Sequence, residues 1–130
     1  MKTITIIKLL MLILMGGVAV VGGSWLLEYR DSVHTENRGV AAYEKGNYRE
    51  AIEIFENLLT ALPEQDADRH QRLRHYLARS YKNIADDPGL PLAESIKLYR
   101  KAAEYDESVI DNEQILKLLQ PRQESIPAWQ

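Results

Sequence analysis

No cysteine occurs in the 130 residues. Disulfides, thiolate metal sites and cysteine nucleophiles are therefore excluded, while the compartment is left open. The histidines, His34, His70 and His75, are not paired at ligand spacing, and there is no His-Glu-x-x-His run. A glycine-rich phosphate loop and a serine nucleophile elbow are also missing. So is a basic surplus: beyond residue 27 the chain carries 14 Lys and Arg against 19 Asp and Glu, a balance of −5. Nucleic-acid binding needs the opposite sign. These absences predict a non-catalytic protein with no cofactor, no metal, no small-molecule substrate and no nucleic-acid partner.

What is present begins with an uncharged run of 19 residues at 9–27. As a helix it would be about 28 Å long at roughly 1.5 Å per residue, close to the hydrocarbon thickness of a bilayer. Trp25 and Tyr29 stand at its far end, where amphipathic aromatics favour the lipid–water interface. Lys2 and Lys8 mark the near end as cytoplasmic. The expectation is a cytoplasmic stretch at 1–8, a single transmembrane signal anchor at 9–27, and a juxtamembrane segment at 28–37 that runs into the first helix beyond it. The remainder then faces the periplasm or its equivalent outside the cytoplasmic (inner) membrane. A cleaved signal peptide competes, with Val21-Gly22-Gly23 before Ser24 as the small residues at the cut. The run is longer than the roughly 7–15 residues of a signal core, which favours the anchor. The Gly16-Gly17 and Gly22-Gly23 pairs either admit a close-packed membrane helix or are simply tolerated in lipid.

Beyond the anchor the pattern is helical throughout. Gly39, Ala42 and Tyr43 lie on one helical stripe within residues 32–45. Gly46-Asn47 then signals a turn, because both residues tolerate the left-handed backbone that closes a helix. Ile52, Phe55, Leu59 and Leu62 recur at helical spacing until Pro63 stops the helix. Helices joined by so short a turn lie antiparallel. The acids Glu64, Asp66 and Asp68 suit a helix N-terminus better than calcium, since no glycine-containing loop with a closing glutamate follows. A second unit at about 68–107 has Leu73, Tyr76, Leu77, Ser80, Tyr81 and Ile84 on one stripe. An enlarged turn, Asp86-Asp87-Pro88-Gly89-Leu90-Pro91, precedes a helix with Ile96, Tyr99, Ala102 and Ala103 as its buried face. Residues 109–119 read as a solvating cap helix. Residues 120–130 read as a flexible tail, in which Ile126-Pro127-Ala128-Trp129 is either a docking peptide or a frayed terminus.

In Gly39, Gly46, Tyr48, Ala51, Phe55 and Pro63 the first unit resembles the tetratricopeptide repeat (TPR) family, with Thr35 where the early aromatic usually stands. Leu77-Ala78, Tyr81, Ser95 and Tyr99 continue the resemblance in the second unit. It implies an all-α fold of two helical hairpins plus a capping helix over 38–119, and a function of binding another protein.

The candidate site follows from spacing and register together. Arg72, His75, Arg79 and Lys82 are spaced i, i+3, i+7 and i+10, so they share one helix face. In the register of the resemblance, Arg72, His75, Arg79, Lys82 and Asn83 fall on groove-facing places, with Asn37, Val40 and Tyr43 of the first unit. A groove with a cationic side suits an acidic segment or a chain-terminal carboxylate of a partner protein. The plainer reading is that these bases solvate the helix and pair with Glu64, Asp66 or Asp68. In overall plan the chain resembles small anchored TPR proteins of bacterial respiratory or methanol-oxidation gene clusters. That implies a scaffold or adaptor in the assembly of an envelope or respiratory complex. An accessory subunit held mainly through its membrane helix is the alternative.

Overall fold

The structure is a computed structural model that describes residues 2–120. The side chains of residues 2, 3, 9, 12 and 14–22 lie outside the described residues. So do residue 1 and the tail at 121–130, including the stretch at 126–129 read as either a docking peptide or a frayed terminus. The elements, in order, are α1 (Lys2–Glu44), α2 (Tyr48–Ala61), α3 (Ala67–Ala85), α4 (Leu92–Asp106), a 3-10 turn (Glu107–Val109) and α5 (Glu113–Leu119). No strand occurs among the described residues. The chain divides into two compact units, Met1–Thr35 and Glu36–Gln130.

The described residues of the first unit are all helical. Its juxtamembrane residues were expected to lead into a helix starting near Ser32, yet the helix runs through them without a break. The reason is local. Neither Gly nor Pro occurs between Gly23 and Gly39. Ser32 and Thr35, which cap helices well, donate backwards instead: Ser32 Oγ to Tyr29 O and Thr35 Oγ1 to Asp31 O, both at 2.9 Å. Among the described residues no helix is long and apolar enough to cross a membrane. The expected span at 9–27 includes residues 9, 12 and 14–22, whose side chains fall outside that set.

In the second unit the turn chemistry accounts for each helix end. Gly46 adopts φ +79°, the left-handed region that a side chain rarely enters. Asn47 N–H then donates to Ala42 O at 2.9 Å and Gly46 N–H to Tyr43 O at 3.0 Å, which closes α1 as a Schellman motif. Leu62 is driven to an extended ψ of 140° ahead of Pro63, and α2 stops there. The enlarged turn is organised by Asp87, whose Oδ1 accepts from Gly89 N at 2.9 Å and whose carbonyl accepts from Leu90 N at 3.1 Å. Asp66 stands at the N-cap position of α3 and Asp68 in its first turn.

The cap differs from the expected single helix over 109–119. Asp106 accepts from Ser108 N and holds the 3-10 turn, while Asn112 accepts from Gln114 N and starts α5 afresh. Between them Ile110 takes an extended backbone and is 4% exposed. Burying that side chain interrupts the helix.

The core is built where the helical stripes meet. Ala42, Ala51, Ile52, Phe55, Leu58, Leu73 and Leu77 form one buried cluster. Phe55 stacks on Tyr76 at 5.3 Å between ring centroids, and Tyr43 meets Tyr48 and Tyr76 edge-on. Ser80 is fully buried and satisfied by donating to Tyr76 O at 2.7 Å. Glu56 Oε1 accepts from Tyr81 Oη at 2.7 Å and Tyr105 Oη at 3.0 Å, linking α2 to α3 and α4.

Gly39 lets α1 approach α2. A Cβ there would stand 2.6 Å from Phe55 Cε1, 2.9 Å from Cζ and 3.0 Å from Ile54 Cγ2. Because Phe55 is itself fully buried, its ring has nowhere to move. Alanine normally improves on a helical glycine by about 1 kcal/mol. Here Gly39→Ala is expected to destabilise by on the order of 1–3 kcal/mol through overpacking. Urea unfolding followed by circular dichroism measures it, and a net gain in stability would show the crossing to be looser than described.

Candidate functional site

The face predicted on the helix that begins near residue 68 belongs to α3, and its charges are largely engaged within the fold. Arg72 Nε lies 2.8 Å from Glu36 Oε1, and Glu36 Oε2 accepts from Arg69 Nε at 2.6 Å. His75 Nδ1 is 2.8 Å from Asp106 Oδ2, and Lys82 Nζ is 2.9 Å from Asp86 Oδ2. The partners are therefore Glu36, Asp106 and Asp86, not the expected Glu64, Asp66 or Asp68. Each partner is brought up by a different segment: α1, the end of α4 and the enlarged turn. Arg79 differs. Its guanidinium lies over the Tyr43 ring, 5.6 Å from the centroid, and among the described residues it forms no ion pair.

Of the residues predicted from the first helical hairpin, at about 32–63, Tyr43 joins this group. Its hydroxyl accepts from Asn83 Nδ2 at a long 3.4 Å, so Tyr43, Arg79 and Asn83 meet between α1 and α3. Val40 and Tyr43 are half-buried and pack on the core, while Asn37 is exposed. An open depression of about 310 Å³ is lined by His75, Arg79, Lys82, Asn83, Val109 and Asp111. Arg72 is not among those lining residues, since it is turned to Glu36. The arrangement offers a stacked guanidinium and an amide beside an imidazole and an ammonium that are already paired. It presents donors to an anionic or hydrogen-bond-accepting group.

The electrostatics follow from these pairs. Burial alone pushes the Glu36 carboxyl up, but the hydrogen bonds and charges of Arg72 and Arg69 outweigh it and hold the group below its ordinary 4.5. Asp86 is likewise held low: burial works against it, while the Tyr99 hydroxyl and Lys82 prevail. Tyr99, which donates to Asp86 Oδ1, is pushed up to about 12 by burial and by that carboxylate. Asp106 is kept low by the Ser108 hydroxyl first and His75 second.

Glu36 and Arg69 are residues that sequence reasoning passed over. Arg69 precedes Arg72 by one helical turn, which hinted at a shared face. Nothing in the pattern pointed to a carboxylate 33 residues upstream as their common acceptor. Compared with family models, with curated proteins and with solved structures, the chain matches none.

The Glu36 pair makes acid stability predictable. A carboxyl whose folded pKa is depressed stabilises the fold fully above its unfolded pKa, here about 4.5. That contribution is lost as pH falls through the lower folded value. Glu36→Gln should lower stability at pH 7 by on the order of 3 kcal/mol, because two guanidinium groups lose their shared anion. It should also flatten the dependence of stability on pH below about 4.5. Urea midpoints measured from pH 3 to 7 test this. Parallel pH curves for the two proteins would mean that another carboxylate carries the acid sensitivity.

Proposed function

We propose that the protein is a non-catalytic, membrane-anchored TPR scaffold that binds a partner protein on the extracytoplasmic side, in the assembly of an envelope or respiratory complex. The observation that carries the binding reading is Arg79. It is held over Tyr43 beside Asn83, at the rim of an open depression, with its charge not committed to a carboxylate among the described residues. A stacked guanidinium is already oriented, so it loses little freedom when it grips a carboxylate. The ligand chemistry is therefore an acidic side chain or a chain-terminal carboxylate of the partner. Arg72, His75 and Lys82 then act mainly by holding the site's walls together.

Support for the repeat reading comes from burial at the positions where helices cross. Ala51 and Ala78 are fully buried, Ser95 is 8% exposed, and Gly39 is buried against Phe55. These are the small-residue places of the TPR pattern. Support for the anchor comes from the first unit, where Leu10, Met11, Ile13, Trp25, Leu26 and Leu27 are each more than half exposed. A helix with so much apolar surface needs lipid or protein around it. Trp25 and Tyr29 stack at 5.9 Å, near the point where the sequence turns charged, which suits an interfacial pair. In this reading the protein sits once across the cytoplasmic membrane with its N-terminus inside. The same exposed surface favours the alternative, an accessory subunit held mainly by its membrane helix.

A photoreactive side chain at position 83, activated in intact membranes, tests both. The expected result is one adduct whose yield falls about tenfold or more on Arg79→Glu, the effect of losing a charge-assisted hydrogen bond of roughly 1.5–3 kcal/mol. The circular dichroism and thermal unfolding of that variant should match the parent. An adduct indifferent to Arg79 removes the groove from the function. Loss of the adduct when residues 9–27 are exchanged for an unrelated membrane helix transfers the function to the anchor.

A further inference from the structure

The depression beside Arg79 is not uniformly cationic. Two of its bases are already matched by acids, His75 by Asp106 and Lys82 by Asp86. Asp106 is fully engaged: its Oδ1 accepts from Ser108 N at 3.0 Å and Ser108 Oγ at 2.6 Å, and its Oδ2 meets His75. Among the charged residues that line the depression, Arg79 and Asp111 are left. They carry opposite signs, yet no ion pair joins them. Among the described residues Asp111 has neither an ion pair nor a side-chain hydrogen bond.

Asp111 is nevertheless held in position. Ile110 before it and Asn112 after it both have extended backbone, with ψ of 101° and 109°. Successive side chains of an extended stretch point to opposite sides. Ile110 is buried, which turns Asp111 outward, and Asn112 fixes the other flank by accepting from Gln114 N at the start of α5. Arg79 is steadied in its turn by the Tyr43 ring. One placed positive charge and one placed negative charge therefore share a single depression, and neither satisfies the other.

Resting on the binding reading above, we propose that Asp111 is the specificity-determining residue of this site, and that the partner segment carries a basic side chain close in sequence to the acid gripped by Arg79. A segment with an acid alone would bring a second carboxylate into a depression of about 310 Å³ that already holds that of Asp111. Like charges so close oppose binding, whereas a neighbouring lysine or arginine converts the conflict into a second charge-assisted hydrogen bond. In an extended segment two side chains fall on the same face when they are two positions apart. The opposite signs also set the direction of the segment, since reversing it would place like charges together.

Short immobilised peptides provide the probe for the full chain in detergent. Each carries one glutamate in a Gly-Ser background, with Lys, Ala or Asp two positions before or after it. Retention of the parent should be about tenfold or more greater with Lys than with Asp at one of those positions. Asp111→Lys should invert that preference and Asp111→Asn should erase it. Thermal unfolding of both variants should match the parent, because the side chain is exposed. A merely structural role would not reverse the sign of a ligand preference. Arg79→Glu should abolish retention of the preferred peptide. Retention that needs Arg79 but is equal for Lys and Asp overturns the inference and leaves the binding reading standing. A Lys preference that survives in both Asp111 variants does the same. No Arg79-dependent retention of any peptide overturns both.

Discussion

The second unit depends on the ring of Phe55. It fills the space that a missing side chain leaves at Gly39 and stacks on Tyr76. One aromatic therefore sets the approach of α2 to α1 and the position of α3 on both. Tyr43 and Tyr76 continue the aromatic contact, so the helices meet through planar rings with few rotamers. A small core gains most from such residues, since each ring buries a large area at low entropic cost.

Around that core the charged residues act as links between segments distant in sequence. Glu36 binds α1 to α3 through Arg69 and Arg72, and His75 binds α3 to the end of α4 through Asp106. Arg74 donates to the carbonyls of Glu104 and Tyr105, so it satisfies backbone acceptors at the C-terminal end of α4. Glu56 joins two tyrosines from different helices. The helix that reads in the sequence as a basic stripe is thus mostly an internal brace. Arg79 departs from this use: its guanidinium lies over the Tyr43 ring and forms no ion pair among the described residues.

The sequence pattern anticipated much of the fold. Gly46-Asn47, Pro63 and the Pro88–Pro91 turn end or separate helices through backbone constraints that act within a few residues, and the helices begin and end beside them. Readings that depended on competition between local options fared less well. Ser32 and Thr35 had the chemistry of caps but turned to preceding carbonyls, so α1 continued. The cap segment broke at Ile110, where burial outweighed helical continuity.

What the sequence by itself determined is the helical character and the turn positions, because each follows from periodicity and from Gly and Pro acting locally. Of the buried stripes it marked Ile52, Phe55, Leu73, Leu77 and Ala102, while Leu58 and Ser95 are buried off the predicted stripes and Ile96 and Tyr99 stay partly exposed. What only the tertiary structure decided is which charges remain available. An arginine on a predicted face looks the same whether its carboxylate is absent or is supplied from 36 residues away, as for Arg72 and Glu36. Coulomb and hydrogen-bond partners are set by distance in space, and that distance exists only once α1, α3 and α4 have packed. The same packing set Arg79 over the Tyr43 ring while its neighbours on the stripe met carboxylates.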